Sequence, residues 1–264
     1  MTKDARWENV LASLCRLQQV LPSAVVVGGT ARALYAGHRV SFDHDHVSTD
    51  LREHFDDVLA DLEEVAGWET ARVNRPTLIW GSLDGIETGV RQLRRTKPLE
   101  TARFRLGDQE VLLPTLPEIL RIKAFLCLDR NATRDYLDFA ALAAALGDSA
   151  AGDALAPMDE LYPQKNGDKW AVRTQLIKQL ADPRPYDLDT VDLAEYKGVR
   201  PPFDRWDHVV ETCARLSDHL AAEFADELKD DPAAHSARLD LEDWKAARAR
   251  GETPTPSKLP GLKR

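Results

Sequence analysis

Apolar residues recur at helical spacing over residues 4–20, where Val10, Leu11, Leu14, Leu17 and Val20 share one side. Pro22 closes that helix, and Val25, Val26 and Val27 follow as the short apolar run of a buried strand. The run breaks at Gly28-Gly29, and a short helical segment is predicted over residues 30–36. A second strand is predicted over residues 38–47. Asp50 is placed to cap a helix reaching about residue 65, with Phe55, Val58, Leu59 and Leu62 facing inward and Gly67 ending it. Residues 68–73, 77–83 and 86–93 read as strands, with Asp84-Gly85 turning the last two into a hairpin. Residues 104–113 add a hairpin turned at Gly107-Asp108.

From Pro114 the pattern turns helical. One helix starts at Thr115 or Pro117 and runs to about residue 128, with Leu116, Leu120 and Cys127 on its apolar face and Lys123 on that same face. Another opens at Asn131 or Thr133, either of which can cap it. Asp135 sits in its first turn, where the helix dipole favours an anion; Asp138 lies a turn later, where that support fades. Residues 151–161, 168–180 and 203–229 also read as helices, with a proline-rich connector before the last. The pattern predicts an α+β fold, a mixed sheet with helices followed by a helical C-terminal lobe. The expected units are a sheet-bearing lobe over 1–113, a helical lobe over 114–250 and a flexible tail over 251–264.

Composition narrows the function classes. The chain has 264 residues, 43% hydrophobic and 30% charged, as an ordinary soluble protein has. No apolar run reaches the ~18 residues that span a bilayer, and the first residues show no secretion signal. Cys15, Cys127 and Cys213 are far apart, so reduced thiols and a cytoplasmic location are expected. A net charge of −9 weighs against broad nucleic-acid binding. A local exception is Arg91, Arg94, Arg95 and Lys97, a seat for an RNA backbone or a triphosphate.

The chemistry concentrates at Asp43 and Asp45. Two positions apart on a strand, they share a face at about 6–7 Å, and two such carboxylates attract a hard cation, Mg²⁺ or Mn²⁺. Gly28 and Gly29 let a phosphate approach backbone N–H groups at a helix start. His44 and His46 face the other way, and without a third ligand a zinc site there is weakly supported.

Gly28-Gly29-Thr30, then Gly37-His38-Arg39, then Ser41-x-Asp43-x-Asp45 resembles the first motif of the DNA polymerase β-type nucleotidyltransferase superfamily. Within it, the chain is most similar to the AbiEii/AbiGii-type toxins, which include the mycobacterial MenT toxins. Lys123 with Arg134-Asp135-x-x-Asp138 resembles the later motifs of that branch.

The resemblance implies a metal-dependent nucleotidyltransferase with a polymerase β-like fold. Asp43, Lys123 and Asp138 would carry catalysis, Asp43 and Asp45 would hold the metal, and Gly28, Gly29, Thr30, Ser41 and Lys123 would bind nucleotide. Lys123 would hold the triphosphate, and Asp138 would act as general base or position Lys123 or a metal, with Asp43 and Lys123 lining a wet cleft where substitution leaves unfolding nearly unchanged. It further implies an NTP substrate (CTP or another pyrimidine NTP), tRNA 3′ ends as acceptor, a toxin's role and a cognate antitoxin partner. A small-molecule or protein acceptor, or a degenerate nucleotide- or partner-binding module, are the alternatives.

One position departs from the pattern. A third carboxylate is expected on the later strand, and there the chain has Gly89, with Glu87 one pleat away. Either Asp43 and Asp45 suffice or Asp138 supplies the missing charge.

Overall fold

The computed structural model describes residues 3–95, 97–162, 171–193, 198–227, 246–247 and 249–250. Helix α1 (Lys3–Val20) turns Leu14 into one hydrophobic core and Leu17 into another. The Gln18 amide donates to the carbonyls of Leu21, Pro22 and Ala24 and accepts from the backbone of Leu112, so the turn into the first strand is pinned by one side chain.

Strand β1 (Val25–Val27) runs directly into α2 (Gly28–Ala36), which begins two residues earlier than its pattern predicts. Gly37, at φ 58°, ends α2 in the left-handed region that glycine occupies freely. Strand β2 (His44–Ser48) is half the predicted length. Residues 37–43 form a loop instead, because His38 and Arg39 turn their side chains onto Asp138 rather than alternating across a sheet.

Helix α3 (Phe55–Glu63) starts later than expected, and Asp50 does not cap it: its carboxylate accepts from the Ser48 hydroxyl. Strands β3 (Trp68–Asn74), β4 (Leu78–Leu83) and β5 (Ile86–Gln92) follow. Asp84 and Gly85 both take positive φ, the condition for a tight two-residue hairpin. The five-stranded sheet has the order β1-β2-β5-β4-β3, with β2 and β5 parallel and the other neighbours antiparallel. A separate hairpin, β6 (Thr101–Leu106) with β7 (Gln109–Pro114), packs against β1 and α1.

Thr115 caps α4 (Leu116–Asp129), its hydroxyl accepting from the backbone of Glu118 at 3.3 Å. Helix α5 (Thr133–Leu146) is capped from elsewhere. One oxygen of Asp187 accepts from the Thr133 backbone at 2.7 Å and from its hydroxyl at 2.8 Å, so neither Asn131 nor Thr133 is the cap. The predicted helix at 151–161 is two, α6 (Asp148–Leu155) and α7 (Met158–Leu161). Helices α8 (Val172–Ala181) and α9 (Trp206–Glu227) complete the described fold. Predicted helical residues 168–170 and 228–229, and the tail over 251–264, lie outside the described residues.

One core joins Val26, Ala31, Val111 and Leu113 to Tyr136, Phe139, Leu176 and Leu220, so side chains from before and after Pro114 bury together. The other, with Leu17, Leu51, Phe55, Ile79 and Val90, fills the space between α1, α3 and the sheet. Among the described residues no single helix is long and apolar enough to cross a membrane.

Asp187 reaches α5 from the connector beyond α8, and it serves two donors at the start of that helix. Asp187→Ala should lower unfolding stability by about 1 kcal/mol, read as a lower urea midpoint with an unchanged slope.

Candidate active site

Asp45 sits at the middle of three strands, its Cα opposite Val27 of β1 and Gly89 of β5. Asp43 precedes β2 and is held from two sides. Its Oδ1 accepts from the Ser41 hydroxyl at 2.6 Å, and its carbonyl accepts from the Thr30 hydroxyl at 2.5 Å. Asp45 Oδ1 is closed off from solvent and has no hydrogen-bond partner; the nearest cation is Arg91, at 3.8 Å. Burial pushes the Asp45 carboxyl above its ordinary range and the Asp43 charge adds to this, against the pull of Arg91, Arg32 and Arg130.

The glycine pair fits these groups closely. Gly28 has φ +73°, and a Cβ there would stand 3.0 Å from Asp45 Oδ2. A Cβ on Gly29 would overlap the Ser41 hydroxyl outright. Both glycines therefore let the acid pair and its serine close against the first turn of α2. Thr30 is fully buried and its hydroxyl is committed to the Asp43 carbonyl, so its side chain ties the acid loop to the helix.

An oxygen of this kind, shut from water and unpaired beside a second carboxylate, suits one hard divalent cation. A fuller ligand set is absent: among the described residues no three or more His, Cys, Asp or Glu side chains are grouped to hold a metal. Gly89 explains why. A Cβ there would meet the Ile79 carbonyl oxygen at 2.6 Å and the Trp80 ring at 2.8 Å, so no acid fits. Glu87, two residues earlier on β5, is exposed.

Lys123 and Asp138 are linked to the acid pair through Arg32 and are not open to solvent, contrary to the wet cleft expected for Lys123. Lys123 is 3% exposed, and its ammonium lies 2.5 Å from Asp135 and 3.1 Å from Asp138. Asp138, with no exposure, also faces Arg32 at 2.8 Å, Arg39 at 2.9 Å and His38 at 2.8 Å. Burial alone would raise the Asp138 carboxyl, yet Arg32, Lys123, Arg39 and the His38 hydrogen bond together hold it well below the usual carboxylate range. A carboxylate so fully paired is not a general base, and it does not stand in for the missing third acid. Desolvation lowers Lys123, as does Arg32, while both aspartates oppose them.

Arg32 joins the two groups. It pairs with Asp138, acts on Asp45, and its Nη2 would lie 3.5 Å from a Cβ on Gly29. Sequence reasoning missed Arg32; its position one turn after the glycine pair, on a helix otherwise rich in alanine and leucine, was the available signal.

The basic stretch divides. Arg91 and Arg94 are exposed, and Lys97 pairs at the surface with Glu160 at 3.2 Å. Arg95 turns inward to Glu118 at 2.7 Å, with its side chain 7% exposed, and so leaves the RNA-facing set. His44 and His46 bury on the side of β2 opposite Asp45. His44 bonds Ser13 and Thr88, both at 2.9 Å, and its partners are hydroxyls rather than a metal. Burial pulls His44 down to about 3; burial, then His44, hold His46 well below its ordinary value against a weaker pull from the Gly89 backbone.

No family model matches the chain. Over 98 residues, 36% of its length, it is 43% identical to the heme uptake protein MmpL11 of Mycobacterium tuberculosis, covering 10% of that protein. Over 127 residues it is 33% identical to the mycolic acid-containing lipids exporter MmpL11 of Mycolicibacterium smegmatis, covering 13% of it. The chain thus spans about a tenth of the length of the curated relatives it matches. A crystal structure of a candidate nucleotidyltransferase from H. pylori aligns over 83% of this chain and 96% of that one, at 12% identity with a TM-score of 0.51. An antigenic nucleotidyltransferase-like protein from Paracoccidioides brasiliensis aligns over 61% and 89%, at 19% identity with a TM-score of 0.43. The H. pylori likeness shows the fold alone: the α+β architecture predicted from the sequence is shared with that protein.

Lys123→Ala and Asp138→Asn each strand buried charge, so each should cost about 3–5 kcal/mol of unfolding stability. Asp43→Asn, at a partly exposed loop position, should cost far less; calorimetry separates the three. Acid should destabilise through the histidines. Their folded pKa values lie below the unfolded value, so the unfolded chain alone takes up protons as pH falls below about 6.5. From there to about 3, where His44 itself protonates, stability falls with falling pH. At pH 5 each histidine should contribute a loss of about 2 kcal/mol, and urea titrations of His46→Leu at pH 7 and pH 5 should show a correspondingly smaller difference.

Proposed function

We propose that the chain is a metal-dependent nucleotidyltransferase that moves a nucleoside monophosphate from an NTP to an acceptor hydroxyl. The observation that supports this most directly is the unpaired, solvent-shielded oxygen of Asp45 beside Asp43, set against the bare first turn of α2. In the transfer the acceptor oxygen bonds to the α-phosphorus, the bridge to the β-phosphate breaks, pyrophosphate leaves, and the hydroxyl proton passes to solvent. Asp43 and Asp45 would hold Mg²⁺ or Mn²⁺, which supplies charge stabilisation at phosphate oxygens.

The chain's own residues have distinct tasks. Ser41 and Thr30 fix Asp43 through its carboxylate and its carbonyl. Gly28 and Gly29 admit the acid pair to the helix start, where backbone N–H groups and the dipole favour phosphate. Lys123 and Asp138 are positioning residues: Asp138, itself paired with Lys123, holds Arg32 of α2 and Arg39, and through Arg39 the loop carrying Asp43.

On the strength of the motif resemblance, the acceptor is the 3′ end of tRNA, the donor CTP or another pyrimidine NTP, and the setting a bacterial toxin with a cognate antitoxin, acting in the cytoplasm. A small cationic molecule is the second reading for the acceptor. Two observations favour it: the net charge of −9, and the withdrawal of Arg95 into an ion pair with Glu118.

Incubation with each α-labelled NTP and total tRNA, beside an aminoglycoside control, tests both. Label should enter tRNA with the wild-type chain and fall to background with Asp43→Asn. Label in the aminoglycoside alone establishes the second reading, and nucleotide binding without transfer to any acceptor overturns the enzyme.

A further inference from the structure

Where a third acid would complete the metal set, this chain has built something else. Gly89 lies beside Asp45 in one strand pair and opposite Trp80 in the next, and the Trp80 ring takes the space a side chain at Gly89 would need. Two residues further on β5, hence on the same face, Arg91 sets its guanidinium 5.3 Å from the centre of that ring. The same guanidinium reaches to within 3.8 Å of Asp45 Oδ1, too far for a hydrogen bond, and its side chain is 47% exposed. A planar arginine stacked on an aromatic ring is pre-organised, and its fork of N–H donors matches phosphate.

Charge decides what such a face accepts. Arg91 lies 3.8 Å from Asp45, and Arg32 and Arg130 also act on that carboxylate, against the charge of Asp43. One divalent ion satisfies the pair; a second would add two further charges to surroundings already rich in cations. A polyanion bound with one ion suits it better.

We propose that the centre takes one divalent cation, and that Arg91, seated on Trp80, binds the triphosphate of the nucleotide as the fixed positive charge beside it. This rests on the nucleotidyltransfer reading and, of the two roles open to Arg91, takes the triphosphate contact over the RNA contact. Arg91→Lys keeps the charge and loses the stacked fork, and Arg91→Ala loses both.

The test uses the full chain with α,β-methylene NTPs, which bind but do not transfer. Nucleotide affinity is measured by calorimetry and Mn²⁺ is counted by electron paramagnetic resonance in the saturated complex. The wild-type chain should bind one Mn²⁺ per chain. Arg91→Ala should weaken the nucleotide about tenfold, Arg91→Lys by less, and neither should shift thermal unfolding. Two Mn²⁺ per wild-type chain, or equal nucleotide affinity in wild type and Arg91→Ala, overturns the proposal while leaving nucleotidyltransfer standing. A wild-type chain that binds none of the NTP analogues overturns both.

Discussion

A single carboxylate with no exposure organises the centre of this molecule. Asp138 draws Arg32 from α2, His38 and Arg39 from the following loop, and Lys123 from α4 onto one helix of the second half. Burial costs each ion several kcal/mol, which is recovered only while every partner stays in place. With Asp135 added, three cations face two anions, and His38 is held below its ordinary value by burial against the pull of Asp138. Breaking any one contact leaves charge stranded away from water. The cluster therefore fixes the relation between the sheet that carries the acids and the helices behind it.

What that fixation provides is a rigid loop. Residues 37–43 form no strand, and a free loop would leave Asp43 to wander. Here His38 and Arg39 anchor its start to α5, while Ser41 and Thr30 anchor its end to the acid and to α2. The backbone carbonyl of His38 also accepts from the backbone of Arg200, near the end of the proline-rich connector, at 2.8 Å. Glycine at 28 and 29 is the other half of the arrangement. Without side chains there, the acids approach the first turn of α2 more closely than any other residue pair would allow. Packing and chemistry use the same bare backbone, so the two explanations of the glycine pair are not rivals.

Much of this was legible in the chain because its signals are local. Alternation and the Asp84-Gly85 pair gave the β4–β5 hairpin, and Thr115 was one of two starts offered for α4. Asp43 and Asp45 could be placed near one another from spacing alone. What was not legible depends on partners far away in sequence. His38 and Arg39 alternate like strand residues, and only Asp138, about a hundred positions later, draws them out of that pattern. The cap of α5 comes from Asp187, and no rule of neighbouring residues finds it. The motif resemblance set Lys123 in a cleft beside a triphosphate, while its apolar stripe alone suggested a lysine reaching for water. Two aspartates within hydrogen-bond distance made burial the better solution. Arg95 was counted with its sequence neighbours, but Glu118 at 2.7 Å outweighs solvent.

The two charged groups also explain each other. An acid pair alone would repel a polyanion, and a cation cluster alone would bind one anywhere along its rim. Arg32 stands between them, paired with Asp138 on one side and acting on Asp45 on the other. Asp138 and Asp135 hold Arg32 and Lys123 in ion pairs of their own. Asp45 thus keeps an oxygen without a partner although three arginines lie near enough to act on it. Asp138 engages Arg32, and Arg91 at 3.8 Å is left as the cation that faces Asp45.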